Sequence, residues 1–261
     1  MFSHSTDAVA RGTVGLLRYG VWGSPQALAR HSAADIASEI ISRLSAKDDI
    51  RIVFAAAPSQ QGTLSLLKDD PRIDWSRIHA LHMDEYVGLA AGAPERFGVW
   101  LGDHLFDHVP MGTVSLLDPR ATDDPDAEAR RYGELLTKKP IDIVLAGVGV
   151  NGHVAFNDPP AHFAEPLPVR VVALSQASRQ QQVTEGLFAS LGDVPTHAWT
   201  VSIPVLMSAQ AVFCMAPGGL KSDAVTNMLT GPVTGEHPAS VLRNHPHAAL
   251  YLDTRSGRGL L

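Results

Sequence analysis

The feature that most constrains this chain is an alternation. Short apolar runs rich in β-branched residues are each followed by a polar or amphipathic stretch of helical length. The runs are 50–56 (IRIVFAA), 78–83 (IHALHM), 141–147 (IDIVLAG), 169–174 (VRVVAL), 198–203 (AWTVSI), 211–216 (AVFCMA) and 248–252 (AALYL). Because consecutive positions are apolar, these runs are expected to be interior strands of a mostly parallel sheet, buried on both faces by crossover helices. The stretch 24–46, opening on Ser24, carries Ala and Ile at three- and four-residue spacing, the signature of an amphipathic helix. Helices are also expected from Pro94 over 94–109, from Pro125 over 125–138, and after Gly219. No internal repeat, low-complexity tract or long linker breaks the pattern over 261 residues, a length at which one α/β domain buries a full core. The expectation is a single-domain, doubly wound, mostly parallel α/β sheet over 13–261, with a flexible N-terminus over 1–12.

Charge and cysteine usage narrow the function. A formal net charge of −6 and no basic run give no footing for nucleic acid, whose phosphates are held by clustered Lys and Arg. The single cysteine, Cys214, sits in an apolar run, which rules out an internal disulfide or a CxxC metal site and fits a reducing cytoplasm. No segment approaches 18 uninterrupted apolar residues, and the first 20 lack the order of a signal peptide, so no membrane partner is expected and a cytoplasmic location is. His104 and His108 could share a helix face, but no HExxH pattern or third ligand accompanies them, and no metal is expected. A homo-oligomer is compatible with the chain and not specified by it.

In doubly wound sheets ligands bind beyond the carboxyl ends of the strands, so the residues just after each run are the ones to examine. After the first run, 57–67 (APSQQGTLSLL) reads as a turn into a helix whose first N–H groups could hold an anion. Ser59 and Thr63 would add hydroxyls there, although Ser59 could equally be an ordinary helix cap. After the second, Asp84 and Glu85 are adjacent; on an extended chain neighbouring side chains point apart, so at most one faces the crevice, where a carboxylate could be a general base. After the third, 147–160 (GVGVNGHVAFNDPP) fits G-x-G-x-x-G. A dinucleotide turn should lead into a helix and then a strand ending in an acid. Here Asn157, Asp158, Pro159 and Pro160 oppose a helix, and 169–174 ends in no acid. The stretch instead offers backbone that can approach a ligand, with His153 placed between Asn151 and Asp158 as a candidate acid/base. Farther on, Arg179 and Lys221 are surface cations or a phosphate clamp.

Taken together, HMDEYVGL (82–89), FDHV (106–109), GVGVNGHVAFNDP (147–159) and VPTHAWTVSIPVLM (194–207) occur in an order and spacing that resembles the glucosamine-6-phosphate deaminase/isomerase family, whose relatives include the 6-phosphogluconolactonases. The HVAFND form is similar to the deaminase branch; lactonases typically continue with Thr, Ala and Ser. The resemblance implies a modified Rossmann sheet and an aldose–ketose isomerase that deaminates glucosamine 6-phosphate to fructose 6-phosphate, with no redox cofactor or metal. On the matching positions, it implies that Asp84 is the base moving a proton from C2 toward C1 and that His153 is the acid/base of ring opening, oriented by Asn151 and Asp158. It further implies that Ser59, Gln60, Gln61, Gly62, Thr63, Arg179 and Lys221 bind the phosphate. Four positions depart from the family pattern: Gln60 and Gln61 replace two glycines, Asn151 stands where many members have Asp, and Asp158 replaces Glu, shortening the acid by roughly 1.5 Å. A lactonase or a non-deaminating isomerase is the alternative enzyme. A sugar-phosphate sensor without catalysis is the third reading, opposed by the lack of a basic helix-turn-helix segment.

Overall fold

Residues 7–121 and 123–261 are described by the structure, a computed structural model. In chain order the elements are β1 (Ala10–Val14), β2 (Leu17–Trp22), α1 (Pro25–Ala46), β3 (Ile50–Phe54), α2 (Pro58–Lys68), β4 (Ile78–His82), β5 (Asp84–Tyr86), α3 (Phe97–His104), β6 (Thr113–Ser115), α4 (Pro125–Thr137), β7 (Ile143–Ala146), β8 (Val169–Ala173), α5 (Gln176–Thr184), β9 (His197–Val201), α6 (Ile203–Met207), β10 (Ala211–Ala216), α7 (Ser222–Thr230) and β11 (Ala248–Asp253). The main sheet has the order β1-β2-β11-β10-β7-β3-β4-β6 and is parallel throughout except for the edge pair β1–β2.

Period-two alternation divides the core between the two faces of this sheet. From β3, Ile50, Ile52 and Phe54 join the apolar cluster beneath α1, α2 and α3, while Val53 joins the one beneath α4 and α7. From β10, Ala211, Phe213 and Met215 take the first side, and Val212, Cys214 and Ala216 the second. Each fully buried side chain of Leu, Ile or Phe size contributes about 2 kcal/mol. Burial also pushes the Cys214 thiol up to about 12, which leaves it an inert core residue.

Helix starts follow local chemistry. Ser24 accepts from the Ala27 N–H at 3.1 Å and Asp124 caps α4 through the Asp126 N–H, each just before a proline in the first turn.

Three sequence expectations need correction. The runs 169–174 and 198–203 are not interior strands of the parallel sheet; as β8 and β9 they pair antiparallel and, with β5, form a separate sheet of order β5-β9-β8. The run 198–203 reads as a buried strand because β9 is covered on both sides, whereas β8 is only half-buried and its apolar composition overstates its burial. The N-terminal segment is not loose up to residue 12: Ala10–Val14 pairs with β2, and the Val9 N–H is bonded to the Val21 carbonyl; residues 1–6 lie outside the described residues. The helix expected over 94–109 starts at Phe97 and stops at His104, after which Leu105 leaves helical geometry. His104 and His108 therefore share no helix face, and each ring bonds a backbone carbonyl instead, those of Trp100 and Asp103.

Candidate active site

The topology fixes the place. From β3 the chain runs outward to β4 and β6, and then returns to lay β7, β10 and β11 on the other side of β3. The loops after β3 and β7 diverge at this reversal, which opens a crevice at the carboxyl ends of the strands. A cleft lies there, lined by residues that include Ser59, Asp84, His153, Gln181, Glu185 and Lys221.

The first wall is the β4–β5 corner, where the two adjacent carboxylates part. Glu85 turns into the protein: one oxygen accepts from the N–H groups of Tyr86 (2.9 Å) and Phe97 (3.1 Å), the other from Gly98 (3.0 Å), and Arg96 lies 3.2 Å away. It thus caps the amino terminus of α3, whose own N-cap residue supplies no side-chain bond. Asp84 faces the cleft alongside Met83, Phe97 and Phe156. Burial, reinforced by the neighbouring Glu85 charge, raises the Asp84 carboxyl well above the ordinary value of 3.8. A carboxylate so destabilised in its ionised form is an eager proton acceptor, as carbon-acid chemistry requires.

The second wall is the turn after β7. Gly149 sits where any Cβ would collide with the His153 ring at 2.2 Å, and Gly152 has a φ of +88° that a side chain would strain. Those glycines therefore serve the histidine, and the G-x-G-x-x-G resemblance to a dinucleotide turn has no pyrophosphate origin. His153 Nδ1 lies 3.1 Å from Asp158 Oδ1 and 2.9 Å from Ser178 Oγ, which leaves Nε2 as the ring nitrogen available to a ligand. Asp158 also receives the Asn151 amide at 2.8 Å, the Ser178 hydroxyl at 2.5 Å and the Ser175 N–H at 3.0 Å. Burial by itself would raise the Asp158 carboxyl, but the bond and charge of His153, with Asn151 and Ser178, hold it far below the carboxylate range. The shortened acid thus reaches the ring, and Asn151 supports it as a donor while its own carbonyl accepts from the His153 N–H at 3.2 Å.

This turn is held from below by β9. Thr200 is the register partner of Asp84, and its hydroxyl accepts from the Phe156 N–H at 3.0 Å. Asn157 donates to the carbonyls of Val154 and Val201, both at 2.9 Å. Ala155 between them adopts a φ of +48°, a left-handed conformation costing a non-glycine residue about 1 kcal/mol. One strand of the small sheet therefore sets both walls.

At the far end, the residues expected around a phosphate separate. Ser59 lines the cleft in the first turn of α2; the N-cap is Ala57, so Ser59 is not the cap. Gln60 is fully buried beneath the cleft floor, its amide directed at the Ala146 carbonyl (3.3 Å) and the Ser59 hydroxyl (3.1 Å). Gln61 and Gly62 are exposed outside the cleft, and Thr63 is buried against Ser32 of α1 at 2.8 Å. Arg179 turns away: its guanidinium donates to the carbonyls of Leu191 (2.6 Å) and Val194 (2.9 Å). Lys221 does line the cleft, buried and 3.0 Å from Glu185.

Sequence reasoning missed Ser178, Gln181 and Glu185. The first had a local signal: Ser175 accepts from the Ser178 N–H as the cap of α5, a Ser-x-x-Ser start to a helix directly following a strand. The other two follow one helical turn apart on the same element and read as ordinary polar helix surface.

Residues 23–251 match the family described as glucosamine-6-phosphate isomerases/6-phosphogluconolactonase. A glucosamine-6-phosphate deaminase of Listeria welshimeri is 36% identical over 222 residues, covering 84% of this chain and 92% of the relative. One from Exiguobacterium sp. is 35% identical over 214 residues, 82% of each. Among solved structures, a monomeric glucosamine-6-phosphate deaminase superposes with a TM-score of 0.84 at 26% identity, covering 93% of this chain and 98% of that one. The 6-phosphogluconolactonase of Trypanosoma brucei shares the fold, with a TM-score of 0.78 at 19% identity over 97% of this chain and all of that one. The alternation of strands and helices, the cleft at the sheet's reversal and these likenesses agree: the chain belongs to the glucosamine-6-phosphate isomerase/6-phosphogluconolactonase family.

Proposed function

We propose that the chain is an ammonia-releasing aldose–ketose isomerase, converting glucosamine 6-phosphate to fructose 6-phosphate and ammonia. The observation that carries this reading is the pairing, in one cleft, of a buried carboxylate with a raised pKa and a histidine whose other ring nitrogen is fixed by an ionised acid. Relatives at 35–36% identity are named for the deaminase reaction, whereas the lactonase likeness concerns the fold.

The chemistry follows from the two walls. Nε2 of His153 takes the proton of the anomeric hydroxyl and returns one to the ring oxygen, which opens the pyranose; Asp158 stabilises the imidazolium that forms between these transfers. In the open aldehyde the proton on C2 is acidic. Asp84 removes it, the electron pair forms the C1–C2 double bond, and the carbonyl oxygen takes a proton from the substrate's own C2 ammonium, which leaves an enolamine. The neutral acid of Asp84 then returns its proton to C1, leaving the nitrogen-bearing C2 as an iminium. Water adds there and ammonia departs, giving the ketose. One base for carbon, one acid/base for oxygen and a fixed sugar geometry meet the requirements of the sequence.

The experiment is a substrate panel with the purified protein. Ammonia and fructose 6-phosphate should form from glucosamine 6-phosphate in equal amounts. Hydrolysis of 6-phosphogluconolactone without ammonia from any hexosamine 6-phosphate would replace this reading by the lactonase one. Tight sugar-phosphate binding with no turnover would favour a sensor.

A further inference from the structure

The far end of the cleft carries a positive charge that is already matched. Among the described residues lining the cleft, Lys221 is the only lysine or arginine, and its ammonium donates to Glu185 Oε1 at 3.0 Å. The same oxygen accepts from the Gln181 amide at 2.8 Å, and Gln181 is itself fixed because its carbonyl accepts from the Val150 N–H at 2.9 Å. Glu185 is therefore held from two sides, by a lysine and by an amide tied to the histidine-bearing turn. The pair is largely dry: the lysine side chain is 8% exposed and the carboxylate 15%. Arg179, the second cation expected there, is spent on the Leu191 and Val194 carbonyls.

An incoming phosphate would share Lys221 with a carboxylate fixed on the same side. Two like charges around one ammonium in a partly desolvated site repel, and displacing Glu185 would strip it of two donors. A neutral hydroxymethyl end meets neither cost.

We propose that Glu185 is a specificity-determining residue of the amino-sugar site: as an internal counter-ion of Lys221 it suppresses the hold on a phosphate and narrows the preference for a phosphorylated over an unphosphorylated amino sugar. This rests on the isomerase reading for its substrate, but not for its anion chemistry. Removing the carboxylate charge frees Lys221 for the phosphate, whereas the neutral hydroxymethyl end of the unphosphorylated sugar gains nothing.

The test compares the parent with Glu185→Gln, which keeps an acceptor for the lysine and the helix-end position. In the variant, the ratio of kcat/KM for glucosamine 6-phosphate to that for glucosamine should rise at least fivefold, with the gain in KM. Inorganic phosphate, measured by calorimetry on the same proteins without turnover, should bind at least fivefold tighter. A smaller change in both overturns the proposal, provided circular dichroism and Tm show the variant folded; if it is not, Glu185→Ala is measured in its place. Absence of ammonia from either sugar in both proteins would instead defeat the isomerase reading, and the phosphate affinities would still decide the role of Glu185.

Discussion

Asp84 lines the cleft and Asp158 holds the histidine that lines it, yet the surroundings of the two carboxylates drive them in opposite directions. Asp84 ends a buried corner beside a second acid, and burial raises its pKa. Asp158 sits in a turn where an imidazole, an amide, a hydroxyl and a backbone N–H converge on it, and these outweigh burial. Asp84 lies deeper and beside another acid, whereas donors converge on Asp158: one acid is prepared to accept a proton, the other to stay charged beside a histidine.

The largest effect is expected at Asp84. Asp84→Asn should lower kcat for ammonia release by about 10³-fold, or about 4 kcal/mol of barrier, since proton transfer by a positioned group is worth 10²–10⁴. Its folded pKa lies above the unfolded value near 3.9, so its relative contribution to stability is full below that value and is lost as pH rises through the folded one. The variant should consequently keep or raise Tm at neutral pH while losing activity. For the same reason, the acid limb of kcat/KM in the parent should lie above the ordinary aspartate range, because the base is lost as pH falls through a raised pKa.

Next in size is the neighbour that faces inward. Glu85→Gln removes an oxygen that accepts from Gly98 and lies near Arg96, and should cost about 3 kcal/mol of stability in urea unfolding. A kcat loss as large as that of Asp84→Asn would show that the two carboxylates are not divided as described.

Asp158→Asn should reduce kcat about 30-fold, roughly 2 kcal/mol, by leaving the imidazolium without its charged partner. Its depressed folded pKa means that Asp158 adds stability above about pH 4, lost as pH falls further, and the asparagine variant should lack that part of the acid sensitivity. Ser178→Ala is the smallest change: loss of one donor to Asp158 should lower kcat by about fivefold, near 1 kcal/mol, with KM little altered. An unchanged rate would remove the hydroxyl from the orienting set.

Much of this was legible in one dimension. The apolar runs at β3, β4, β7, β10 and β11 gave themselves away because strands buried on both faces leave no polar alternation; Asp84 comes just after β4, and Asn151, His153 and Asp158 lie in the segment after β7. Legibility failed where identity depended on partners. β8 and β9 share the composition of core strands but pair in another sheet, since apolar content reports burial and not which neighbour supplies it. Gln60, Gln61, Gly62, Thr63 and Arg179 sit at the expected places in the chain, yet one helix carries the first four to different surroundings, because a helix turns each successive side chain by about 100°.

Periodicity, glycine and proline placement and nearness in the chain suffice for the alternation of buried strands with helices, and for putting Asp84, Asn151, His153 and Asp158 in the segments that follow β4 and β7. Which of two neighbouring acids enters the cleft, the joining of its two walls by Thr200 of β9 and the matching of Lys221 by Glu185 depend on the folded chain. The reason is that charge and hydrogen bonding act through space over a few ångströms, between residues whose separation in the chain carries no record of their meeting.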